Sequence, residues 1–118
     1  MVDWMKGNRI KEYPNIIPLL MDDSKIDLDD SVCDFLYMIN LHHELDNPLN
    51  TLNERYRLLK QGGKIAISDW KKEKTEMEPD ISIRISPEEI ERQLSESGFK
   101  NINIFNDLKF NYLIVAEK

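Results

Sequence analysis

The sequence predicts an α/β domain in which helices serve as crossovers between mostly parallel strands and an antiparallel hairpin closes the chain. Three observations lead there. Apolar runs at residues 16–20, 35–39 and 64–69 alternate with helix-patterned stretches, as in a parallel sheet with right-handed crossovers. Leu45, Leu49, Leu52, Tyr56 and Leu59 recur at intervals of four, three, four and three, one stripe of an amphipathic helix. Residues 102–105 and 110–116 are strand-like runs on either side of Asn106 and Asp107, most simply a hairpin.

Each element has a local reason. Residues 2–12 suit a short helix with Val2, Met5 and Ile10 loosely on one side; Gly7 weakens it, and Pro14 forces the chain out of helical geometry. The run at 16–20 then reads as a buried strand, and the acidic, irregular residues 21–31 as a loop. Asp34 leads into Phe35, Leu36, Tyr37, Met38 and Ile39, large apolar side chains without alternation, which suits a strand covered on both faces. The striped helix follows, and Gln61-Gly62-Gly63 stops it, because glycine takes the left-handed geometry of a helix end. Ile65 and Ile67 centre the strand at 64–69, and residues 71–85 are a polar excursion. Ser86-Pro87-Glu88-Glu89 supplies an N-cap, a first-turn proline and a capping-box glutamate. That helix turns Ile90 and Leu94 inward and ends before Gly98. With no internal repeat or low-complexity linker, residues 1–118 read as a single domain.

Composition narrows the function classes. Hydrophobic content of 41% and charged content of 32% describe a folded chain, not a disordered one. A net charge of −6 argues against a nucleic-acid partner, which would need a clustered basic surface. Lys71, Lys72 and Lys74 form the one dense basic cluster, and Glu73 and Glu76 interrupt it, so a solvated loop is the simpler reading. Cys33 is the single cysteine and cannot form an internal disulfide, which fits a reducing cytoplasm. No apolar stretch is long enough to span a bilayer and the N-terminus has no signal-peptide pattern, so a cytoplasmic protein without a membrane partner is expected.

Several segments, in order, carry a family resemblance. Residues 26–35, Ile-Asp-Leu-Asp-Asp-Ser-Val-Cys-Asp-Phe, match an acidic loop and following strand usually of the form L-P-F-P-D-N-S-F-D. Asn40-Leu41-His42-His43-Glu44-Leu45-Asp46-Asn47-Pro48 matches the stretch after that strand. Arg57-Leu58-Leu59-Lys60-Gln61-Gly62-Gly63-Lys64 matches an R-V-L-K-P-G-G turn, with Gln61 where proline is usual, and Ser97-Gly98-Phe99 matches an A-G-F helix end. From Tyr13 onward the chain resembles the class I S-adenosylmethionine-dependent methyltransferases, in particular the type 11 group similar to the ubiquinone/menaquinone-biosynthesis enzymes. The resemblance implies a Rossmann-like sheet of order 3-2-1-4-5-7-6 with the cofactor across the carboxyl ends of its strands.

It also implies a set of site residues. Asp22 occupies the position whose carboxylate accepts a hydrogen bond from the adenine amino group, an interaction worth roughly 1.5–3 kcal/mol when charge-assisted; an exposed turn aspartate is the alternative. Asp23 and Ser24 would neighbour the adenine ring. Asn40 and Leu41 sit where the family approaches the methionine moiety, although strand-end capping explains Asn40 equally well. His43 either lines a substrate pocket or packs beside Leu45, while Asp69 and Trp70 either face the methyl acceptor or, for Trp70, pack structurally. Adjacent His42 and His43 do not share a helix face, and no ligand spacing surrounds them, so no metal site is expected. Ser68, His43 and Asp69 invite a triad, but the sequence supplies no geometry for one, and no catalytic base is assigned.

One family element has no counterpart. The G-x-G-x-G loop after the first strand is absent from the 118 residues, whose four glycines stand at 7, 62, 63 and 98. Met1 aligns inside the helix that follows the family's second strand, and Asp3 lies too close to Tyr13 and Pro14 to be the ribose-binding acid. The expectation is a truncated domain whose isolated chain binds S-adenosylmethionine weakly or not at all, about −4 kcal/mol at the millimolar level, and is not active as a methyltransferase without the missing N-terminal half. The strand at 35–39 becomes an apolar edge, covered by a homodimer or by a separate chain supplying the missing half. A split or impaired methyltransferase, a non-catalytic homo-oligomeric module derived from one, and a fragment all fit these residues.

Overall fold

A computed structural model describes residues 25–72, 81 and 84–118. The expected helix at 2–12, the strand at 16–20, most of the excursion at 71–85, and Asp22, Asp23 and Ser24 lie outside the described residues. Strand β1 spans Cys33–Ile39, a 3-10 turn His42–Glu44, helix α1 Pro48–Leu58 and strand β2 Leu59–Trp70. Helix α2 spans Pro87–Glu96, and strands β3 Lys100–Phe105 and β4 Asn111–Glu117 complete the described chain.

The described strands form one sheet in the order β1-β2-β4-β3. β1 and β2 run parallel, and β4 pairs antiparallel with both β2 and β3. The expected hairpin is therefore present, and β4 enters between β2 and β3. This order is the 4-5-7-6 portion of the sheet the resemblance implies.

Strand alternation gives the sheet two unlike faces. Leu36 and Met38 align with Ile65 and Ile67, which align across β4 with Ala116 and Ile114. Together with Tyr112 these side chains meet Leu52 of α1 and Ile90 and Leu94 of α2 in a single core. Residues one position out of phase point the other way. Phe35, Tyr37 and Ile39 are 54%, 67% and 62% exposed, so the expectation that both faces of this strand are covered is not met. Both described helices pack on the Met38–Ile67–Ile114 face, and none covers the opposite one.

Helix ends follow local chemistry, with one correction. Asn47 caps α1 by accepting a hydrogen bond from the Asn50 amide at 3.2 Å, with Pro48 in the first turn. The stripe from Leu45 to Leu59 is not one helix: Leu45 is extended after the 3-10 turn, and Leu59 already belongs to β2. Gln61-Gly62-Gly63 consequently interrupts a strand instead of ending a helix. Cys33 pairs with Leu59 and Phe35 with Lys64, so the intervening residues of β2 bulge outward. Gly63 is required there because an added Cβ would lie 2.8 Å from the Lys60 carbonyl oxygen and 3.1 Å from that of Asp34. Ser86 caps α2 as expected, accepting from the Glu89 amide at 3.3 Å, but the Glu89 carboxylate accepts from Arg92 and Gln93.

The loop before β1 is clamped by α1. The Arg57 guanidinium donates to the carbonyls of Ile26 and Leu28, to Asp30 and to Glu54. Glu54 in turn accepts from the Ile26 amide at 2.6 Å. This anchors the loop that leads into the amino-terminal end of β1.

Candidate active site

The chemistry-bearing residues gather where β1 and β2 end. Asn40 follows β1 with a φ of 52°, left-handed geometry that asparagine tolerates better than most residues. Its amide donates to the Ser68 carbonyl at 2.7 Å, and its side-chain oxygen accepts from Asn111 Nδ2 at 2.8 Å. Main chain and side chain are thus held from β2 and β4 at once. The bond to Asn111 goes beyond simple strand-end capping, and Leu41 beside it is 37% exposed.

The 3-10 turn then presents two histidines with different partners, the His43 side chain being 6% exposed. His42 is fully buried, and its Nε2 lies 2.7 Å from Gln93 Oε1, a donor–acceptor pair that leaves Nδ1 without a partner. Burial pushes the His42 pKa below its usual value, only partly opposed by the Gln93 bond and the Asp69 charge. His43 instead meets Asp69. Its backbone amide donates to Oδ2 at 2.9 Å, and its Nδ1 lies 2.9 Å from Oδ1 and 3.1 Å from Oδ2. Asp69 is 1% exposed and also accepts from the Trp70 amide at 2.8 Å. Such a carboxylate, with donors fixed by backbone, can only accept, so Nδ1 carries the imidazole proton.

His43 and Asp69 are therefore brought together, whereas packing of His43 beside Leu45 does not account for its two bonds to the carboxylate. The triad is not formed. Ser68 is adjacent to Asp69 in β2, and alternation points it to the opposite sheet face. Trp70 shares that outward phase, and the Arg84 guanidinium lies 5.7 Å from its ring centroid, so its surroundings include a structural stacking contact. Among the described residues no group of three potential ligands could hold a metal ion.

A cleft of about 450 Å³ opens next to this cluster, lined by Lys71, Lys72, Ser86, Pro87, Glu88, Asn106 and Tyr112. Tyr112 pairs across the sheet with Asp69 and donates its hydroxyl to the Ile85 carbonyl at 2.8 Å. Burial, followed by the Asp69 and Glu88 charges, raises its pKa, so it remains a neutral donor. Gln93, Asn111 and Tyr112 were not singled out by sequence. Gln93 carried a signal, a polar residue on the Ile90–Leu94 stripe, but Asn111 had none, since its partner is 71 positions away.

Comparisons with known proteins bear on this arrangement. The methyltransferase-domain family profile matches residues 1–67, more than half the chain. The chain belongs to the methyltransferase-domain family. Its fold is that of class I S-adenosylmethionine-dependent methyltransferases. A SAM-dependent methyltransferase from Aquifex aeolicus superposes with a TM-score of 0.86 at 31% identity, over 96% of this chain and 60% of that one. A protein assigned to the type 11 methyltransferases, from Sulfolobus solfataricus, gives 0.77 at 25% identity over 100% of this chain and 68% of that one. The methyltransferase CalH, solved as a complex with SAH, shares the fold with a TM-score of 0.75 at 18% identity, covering 95% of this chain and 38% of that one. This chain thus spans about 60% of the length of the Aquifex methyltransferase. No curated protein matches the sequence. No described helix is long and apolar enough to cross a membrane.

Proposed function

We propose that this chain forms one wall of an S-adenosylmethionine-dependent methyl-transfer site, and that alone it holds the cofactor weakly. The observation that carries this reading is Asn40, left-handed at the carboxyl end of β1 and held by Ser68 and Asn111 beside the His43–Asp69 pair. Left-handed geometry at a non-glycine residue costs roughly 1–2 kcal/mol and persists where neighbouring contacts enforce it. The residues fit the cofactor on one side only. Asn40 and Leu41 would meet its methionine moiety, and Asp22, Asp23 and Ser24 its adenine. No G-x-G-x-G loop in these 118 residues lets backbone approach the rest.

When bound, S-adenosylmethionine supplies an electrophilic methyl on a sulfonium. The protein's part is orientation and exclusion of water. His43, Asp69 and Trp70 border the acceptor side, and the adjoining cleft gives an acceptor room to enter. Calorimetric titration of the 118-residue chain with S-adenosylmethionine and S-adenosylhomocysteine tests this. The expected dissociation constant is on the order of millimolar, about −4 kcal/mol. Micromolar binding would overturn the one-sided site, and no heat at saturating ligand would favour a non-catalytic role.

A second reading has its own support. β1 is the outermost described strand and its outward side chains Phe35, Tyr37 and Ile39 are apolar and exposed, which suits a homodimer joined edge to edge or pairing with a separate chain. In that case the fold is retained as an interaction module. Cys33, free and without a bridging partner, is compatible with a reducing cytoplasm.

A further inference from the structure

We propose that the cleft at the end of β2 is a carboxylate subsite, in which Lys72, flanked by Lys71 and Ser86, selects a methyl acceptor carrying one carboxylate group. This rests on the methyl-transfer reading above and names the acceptor class of that same site. Lys71 and Lys72 belong to the one dense basic cluster of a chain with net charge −6. The structure fixes where that cluster starts. The Lys71 amide donates to the Phe110 carbonyl at 2.8 Å, its carbonyl accepts from Arg84 at 3.2 Å, and its ammonium donates to the Asn106 carbonyl at 2.8 Å. The β3–β4 turn and the segment before α2 thus hold the chain as it leaves β2 and borders the cavity of about 450 Å³.

The charges around the cleft are unlike those elsewhere. Arg57, Lys60 and Arg92 each sit against a neighbouring carboxylate. Lys71 meets only a neutral carbonyl, and the exposed Lys72 ammonium has no hydrogen bond or ion pair among the described residues. An ammonium without a counter-ion beside a cavity is a ready partner for an anion. Ser86 accepts from the Glu89 amide at 3.3 Å, which leaves its own hydroxyl proton available to donate. Glu88 sets the size of the charge. With it, the lining holds two positive side chains and one negative, which complements a monoanion and disfavours a phosphate dianion. Tyr112 has its hydroxyl committed to the Ile85 carbonyl at 2.8 Å, so it and Pro87 offer the less polar part of the lining to the acceptor's body. Because Tyr112 pairs across the sheet with Asp69, the cleft adjoins the acceptor side.

The test needs no cofactor. Proton–nitrogen correlation spectra of the full chain at pH 8 are titrated with benzoate, with its neutral analogue benzamide, and with phenyl phosphate. Benzoate should give saturable shifts at Lys72, Ser86 and Asn106 and bind at least about 10-fold tighter than benzamide, with phenyl phosphate no tighter than benzoate. Lys72→Gln should weaken benzoate about 10-fold and leave benzamide unchanged, while Lys64→Gln, at the far end of β2, should change neither. Glu88→Gln should tighten phenyl phosphate more than benzoate. Benzoate no tighter than benzamide, equal losses in Lys64→Gln and Lys72→Gln, or shifts that do not saturate would each overturn the subsite. A parallel titration with S-adenosylhomocysteine separates the two readings. Cofactor binding with benzoate silent removes the subsite alone; benzoate binding with no cofactor response removes the methyl-transfer reading and leaves the carboxylate site standing.

Discussion

At the residue scale, the same few side chains set both geometry and acid sensitivity. Asn40 is the clearest conformational case. Asn40→Gly should fold with little loss, because glycine adopts positive φ freely, though the Asn111 bond goes with it. Asn40→Ala loses that bond and adds the left-handed penalty, so chemical denaturation should show it less stable than Asn40→Gly by about 1 kcal/mol. Titration gives a second expectation. The Arg57 hydrogen bond holds the Glu54 carboxyl well below its usual 4.5, at about 2. Between those values the unfolded chain binds the proton and the folded chain does not, so stability falls as pH drops from 4.5 toward 2. Glu54→Gln should remove that component, read as a flatter denaturation midpoint against pH. His42 acts in the same direction at higher pH: burial depresses its folded pKa, so its contribution is complete above about 6.5 and declines below. An unchanged acid profile in His42→Asn would contradict this.

At the scale of elements, the join between α1 and β2 and the edge of β1 are the informative places. Gly63→Ala brings a Cβ to within 2.8 Å of a backbone oxygen, a contact that can relax only by moving the strand. Overpacking of this kind costs roughly 1–3 kcal/mol, and a thermal melt of the variant would reveal it. Composition made Gly62 and Gly63 visible as a break but suggested the wrong element, because a glycine pair marks a helix end and a strand bulge alike. The register of β1 against β2 decided between them. The expected periodicity failed at Leu45 and Leu59 for a related reason. Both are apolar at helical spacing, yet Leu59 faces the core from a strand and Leu45 is half-buried in extended chain after the 3-10 turn. Along β1, the unbroken apolar run hid an alternation that became plain once only one face was packed. If two copies meet there, light scattering at micromolar concentration should report a dimer, and Tyr37→Lys should return it to a monomer by placing a charge on the edge. A monomeric wild-type chain would count against that interface.

At the scale of the whole molecule, one sheet face carries the described helices and core while the other remains apolar and open to about the extent shown by Phe35, Tyr37 and Ile39. The chain spans about 60% of the Aquifex methyltransferase it resembles, and its described strands run in the order β1-β2-β4-β3. Family membership, the α/β class, the C-terminal hairpin and the α2 cap were legible in the sequence, because each depends on residues near one another: turn signals, capping side chains, short ordered motifs. Asn40, Leu41, His43 and Asp69 were legible as candidates for the same reason. Their relations were not. Which histidine would be buried, that Asp69 would lock His43 while Ser68 turned away, and that Asn111 would hold Asn40 all required strands far apart in sequence to be set side by side. Local pattern specifies what an element is; only the register between elements specifies which polar atoms face each other, and a one-residue difference in that register would have exchanged Asp69 for Ser68.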